Sequence, residues 1–172
     1  MQPLHIKIIS ACVFAMVLFC FSCPASSFEI TSQDFKNNQP IPSIHTCDGN
    51  DVSPQFSWSG APAETKSFAL TCIDPDAPSG NFIHWLVYDI PASTTNFVQG
   101  GPLTFNVKEA VNDFGRKHYG GPCPPSGTHR YVFTVYALKK EKLEGVTKNN
   151  FLQKVSENQL AKALLTGLYK RR

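Results

Sequence analysis

A single, mainly β domain closed by a C-terminal helix is the fold class this sequence predicts. Three observations point to it. Five apolar runs rich in β-branched and aromatic residues lie between turn clusters. The chain has 172 residues, 42% hydrophobic and 17% charged, which is enough for one domain with a true core and excludes a disordered chain. From Asn150 to Tyr169 the apolar spacing then turns helical.

The first element is not part of that fold. Residues 1–7 carry one lysine, and Ile8 to Phe28 carry no charge. A basic start, an apolar stretch and then small residues form the pattern of a secretory signal peptide over 1–27. Cleavage fits after Ser27 or after Ala25. An uncleaved membrane anchor and a lipid attachment at Cys23 are two further readings of the same residues. Each sends the domain, 28–172, out of the cytoplasm, as a periplasmic, secreted or membrane-anchored protein. Without Lys7 the net charge of +3 becomes +2, too weak to argue for nucleic acid.

The strands are FEITSQD (28–34), PQFSWSG (54–60), KSFALTCID (66–74), FIHWLVYDI (82–90) and RYVFTVYAL (130–138). KSFALTCID and RYVFTVYAL are almost continuously apolar, as strands covered on both faces are. DGNDVSP, DPDAPSG and GGPCPPSG separate them as turn clusters. An exported domain favours a disulfide. Cys47 and Cys123 lie in Gly/Pro-rich loops and are expected to pair, leaving Cys72 as a small buried hydrophobe inside its strand. With no CxxC pair, a zinc or redox site built on cysteines is not expected. In the C-terminal segment Phe151, Val155, Leu160, Ala163, Leu164 and Leu168 make one helical face, and Gly167 before Lys170, Arg171 and Arg172 reads as a helix end.

Three stretches could carry chemistry. Asp74-Pro75-Asp76 ends a strand and has the composition of a turn, but two carboxylates also take a metal or share a proton. His84 enters an apolar strand. His129 and Tyr131 open the strand after GGPCPPSGT. If the adjoining loops gather on one side, Asp74, Asp76, His84, His129 and Tyr131 line one pocket. Pro122, Pro124 and Pro125 would stiffen its wall. Gly120 and Gly121 would leave backbone N–H groups open to an anion. Carboxylates beside the histidines would help them hold protons. Arg130, on the opposite side of the strand from His129, is expected to pair with an acidic neighbour.

The ordered set DPDAP, HW and GGPCPPSGTHRY resembles the phosphatidylethanolamine-binding protein family, most closely its bacterial and archaeal Raf kinase inhibitor-like branch. CDGNDVSPQFSW, NDFGRKHYGG and FTVYAL support the match, which spans about residues 28–170. The resemblance implies a sandwich of a large and a small antiparallel sheet with helices at the edge. It implies a small cavity for phosphate-like groups and phosphorylethanolamine, lined by Asp74, Pro75, Asp76, His84, Gly121, Pro122, His129 and Tyr131. The histidines would donate to the anion, and the aspartates would orient them or receive an ammonium. The C-terminal ENQLAKALL lacks the histidine often found there in animal members.

The leading expectation is therefore an exported, non-enzymatic binding protein for a small anion or phospholipid head group, without a cofactor or metal. Membrane contact is compatible with this but not required. A protein inhibitor or signalling modulator is the alternative, although an exported domain does not meet cytosolic kinases. A hydrolase built on Asp76, a histidine and Ser79 or Ser126 is the third, without a G-x-S-x-G elbow to support it.

Overall fold

The computed structural model describes residues 27–104 and 106–171. The expected leader lies outside them but for Ser27. The elements run β1 (Glu29–Thr31), β2 (Gln39–Pro40), β3 (Phe56–Ser59), β4 (Ser67–Asp74), β5 (Phe82–Pro91), β6 (Asn96–Phe97), β7 (Lys108–Glu109), β8 (His129–Leu138), α1 (Phe151–Asn158) and β9 (Gln159–Tyr169). They form two sheets, a small one of order β1-β3-β6 and a large one of order β2-β9-β8-β4-β5-β7. Every pairing is antiparallel except β2 on β9, which is parallel.

The two continuous apolar runs sit side by side as β4 and β8, and both are covered on their two faces as their composition demands. On one face the small sheet packs against them. Phe56 meets Phe133 at 4.7 Å between ring centres, and Trp58 meets Phe68 at 5.6 Å. On the other face Ala69, Leu86 and Leu138 lie beneath Phe151 and Val155 of α1. Each such fully buried large side chain contributes about 1.5–3 kcal/mol. Cys72 is wholly buried in this core with a free thiol, and burial pushes that thiol's pKa up. Cys47 and Cys123 are joined, with Cα atoms 5.4 Å apart.

The C-terminal helix is shorter than its spacing predicts. It stops at Asn158, and Gln159 is already extended. Residues 159–169 pair along the whole of β8, from Leu138 with Gln159 to His129 with Tyr169. Two periods coexist in QLAKALLTGLY. Leu160, Leu164 and Leu168 fit a helical stripe, but Ala163, Leu165, Gly167 and Tyr169 also alternate, and these four are the buried ones. The unpaired edge of β8 decides between them, overriding a good helix-forming composition. Gly167 is accordingly no helix cap. A Cβ there would stand 2.4 Å from Ile41 Cγ1 and 2.9 Å from Phe35, so glycine lets the β2 segment lie against the sheet.

Candidate functional site

The ends of β4, β5 and β8 open on the same side, and the turn and loops beside them enclose a cavity of about 310 Å³. Asp74 closes β4 and is buried. Its Oδ1 accepts the Asp76 N–H at 2.8 Å, forming the turn that DPD composition predicts. Its Oδ2 accepts from His129 Nδ1 at 2.7 Å. One carboxylate therefore both shapes the turn and fixes the tilt of an imidazole 55 residues away.

His84 is held differently. Its Nδ1–H donates to the Gly120 carbonyl at 2.7 Å. Burial lowers its pKa, against the opposing pull of Gly120 and Asp74. The expectation that nearby carboxylates make this histidine hold its proton is thus reversed, because desolvation is the larger effect. With both Nδ1 atoms taken, Nε2 of each ring is the nitrogen left to a ligand. Tyr131 lies edge-on to His84, 5.1 Å away, fully buried. Burial and Asp74 push its phenol pKa up. No group among the described residues meets hydrogen-bond geometry with its hydroxyl.

The remaining walls are apolar except at Ser79, which lines the cavity beside Ala77 and Pro78, whereas Ser126 does not. Phe82 stands two residues from His84 on the same strand face, and Phe114 packs edge-on against both, at 4.9 and 5.2 Å. Cys123, Pro124 and Pro125 form the opposite wall. Phe82 and Phe114 are absent from the sequence-derived set. The strand period could have found Phe82; Phe114 sits in a loop with no periodic signal. That loop is organised by Asn112, whose side-chain amide donates to the His84 and His118 carbonyls and whose oxygen accepts from Phe114 and Arg116 N–H.

Four expected site residues stand elsewhere. Asp76 turns away and takes three bonds from Arg130, at 2.9, 2.9 and 2.6 Å, through the backbone N–H and the guanidinium. Arg130 lowers its pKa to about 2. Arg130 thus has the acidic partner its position predicts, and Asp76 is withdrawn from any ammonium or catalytic triad. Pro75, Gly121 and Pro122 do not line the cavity either. The open N–H groups expected at Gly120 and Gly121 are both spent: Gly120 donates to the His84 carbonyl, and Gly121 donates to Asp51 Oδ1 at 2.5 Å. Gly121 is needed for closeness instead, since a Cβ would stand 2.3 Å from the His45 carbonyl oxygen. Pro122 accepts from the Cys47 N–H, beside the disulfide. These residues tether the wall from behind.

Comparison with known proteins bears on the family and the fold. A family model described as phosphatidylethanolamine-binding protein matches residues 31–170. A protein of Aquifex aeolicus (strain VF5) named UPF0098 is 45% identical, over 88% of this chain and 93% of its own length. UPF0098 protein YbcL of Escherichia coli (strain K12) is 39% identical, over 74% of this chain and 78% of its own. The crystal structure of Escherichia coli YbcL, described as a new member of the mammalian PEBP family, superposes with a TM-score of 0.81 at 35% identity, over 86% of this chain and 100% of that one. The crystal structure of CT736 from Chlamydia trachomatis gives 0.78 at 36%, over 85% and 99%.

Proposed function

Because the chain belongs to the phosphatidylethanolamine-binding protein family, we propose that it is an exported, non-enzymatic binding protein whose cavity takes a phosphate-like group. The observation that carries this reading is the pair of imidazoles on one small apolar-walled cavity, each with Nδ1 fixed and Nε2 left over. His129, with Nδ1–H given to Asp74, becomes a second donor to an anion when its ring is protonated. His84, kept neutral by burial, accepts. A phosphate monoanion suits both, placing an anionic oxygen at His129 and its P–OH at His84. The uncharged segment before residue 28 and the disulfide support export.

A proton on the ligand makes binding pH-dependent. The second pKa of a phosphate monoester is about 6. Affinity is therefore expected to rise as pH falls from 8 toward that value, and to fall again at lower pH once His84 is protonated and can no longer accept the P–OH. The test is an NMR titration with inorganic phosphate and phosphorylethanolamine, following the His84 and His129 ring signals. Saturable shifts at those rings, abolished in His129→Ala, are the expected result. No shift up to millimolar ligand refutes the anion-binding reading.

One observation favours the alternative of a protein inhibitor or modulator. Phe114, at the cavity mouth, is 42% exposed. That reading requires capture of a protein partner that survives His129→Ala and fails in Phe114→Ala.

A further inference from the structure

A second cavity, of about 290 Å³, lies on the other side of the Tyr119–Gly121 stretch and shares no lining residue with the first. Tyr119 lines it, whereas the Gly120 carbonyl holds His84 of the anion cavity. Its walls are Trp85, Tyr119, Pro102 and Leu103, and its acidic groups are Asp51 and Glu109. Trp85 and Tyr119 meet edge-on at 5.5 Å.

The two acids are in different states. Asp51 is satisfied, by Arg116 at 2.8 Å on Oδ2 and by the Gly121 N–H on Oδ1. Glu109 is brought here by β7 pairing with Val87 of β5. Its Oε1 accepts the Trp85 Nε1–H at 2.5 Å, which orients the carboxylate. Among the described residues, no lysine, arginine or histidine nitrogen forms an ion pair with it, whereas Asp34, Asp48, Asp51, Asp76, Asp89 and Asp113 each have one. Glu109 is half-buried, and desolvation raises its pKa. A partly desolvated carboxylate without an ion-pair partner among the described residues, beside two aromatic rings, is matched by a group that brings positive charge and apolar surface together. His118, also on this cavity, is exposed, is the only basic side chain in its lining, and opposes the rise of the Glu109 pKa without forming an ion pair with it.

We propose that this cavity binds a small primary ammonium ligand, its charge on Glu109 Oε2 and its alkyl part against Trp85 and Tyr119. The site is independent of the phosphate reading and stands or falls apart from it. The test titrates n-butylammonium chloride at fixed pH 7.5 into the folded protein and follows the Trp85 indole N–H. Butanoate and 1-butanol serve as charge-reversed and neutral controls. Saturable binding of the ammonium is expected, with both controls roughly tenfold weaker or more. Glu109→Gln, which keeps an oxygen for the Trp85 N–H, should weaken the ammonium by a similar factor. An absent or unsaturable shift, an equal response to butanol, or a folded Glu109→Gln that titrates like the parent overturns the proposal. The two wild-type controls test the charge requirement without any substitution.

Discussion

Two proline-rich segments flank the candidate anion site, and they are held in opposite ways. The turn at 74–80 is largely self-made. Asp74 accepts the Asp76 N–H and Gly80 donates to the Ala77 carbonyl, and the ties outward both reach the start of β8: the buried Asp74–His129 bond and the half-exposed pair of Asp76 with Arg130. The wall at 120–125 owes its place to distant residues: the Cys47 disulfide, the Cys47 N–H on Pro122, Asp51 on Gly121, and His84 on Gly120. Similar composition thus yields a local turn in one case and a suspended partition in the other. The difference lies in tethers that no short window of sequence contains.

Severing the largest tether should break the contrast most clearly. Replacing Cys47 and Cys123 together by serine opens a loop spanning 76 residues. The expected loss is about 4 kcal/mol in the chain-entropy model, read as a lower Tm and weaker phosphate binding. An unchanged Tm with unchanged binding would show that the wall stands without it. Asp51→Ala comes next. It strands the Gly121 N–H and leaves Arg116 unpaired, for about 1–3 kcal/mol in urea unfolding. The smallest effect belongs to the turn. Asp76→Asn removes an exposed pair and should cost well under about 1 kcal/mol. Its pH dependence has a definite sign. The folded Asp76 pKa of about 2 lies below the ordinary 3.8, so its contribution is present above about pH 4 and vanishes as pH falls through 2. The stability curves of variant and parent should converge there; a gap that persists at pH 2 assigns the cost to packing.

The same contrast explains what could be read from the sequence. β4, β5 and β8 are legible because their period and composition agree with burial on the faces they use. Asp74, His84, His129 and Tyr131 are legible because they sit at the ends or starts of those strands. The Cys47–Cys123 pairing follows from loop composition and is present. β9 is not legible, because its leucines fit two periods and only the free edge of β8 selects one. β2, β6 and β7 are two-residue strands with no period to detect. The fates of Gly121 and Pro122 depend on Asp51 and Cys47, so their chemistry was readable but its direction was not.

Cys72 gives the core a built-in stopwatch. Its thiol is wholly enclosed between the sheets, beside no second thiol among the described residues, and burial disfavours the reactive thiolate. An alkylating reagent reaches it only when β4 comes out from between its neighbours. The rate of Cys72 alkylation in native buffer therefore times the opening of the large sheet, with the disulfide intact and no engineered substitution.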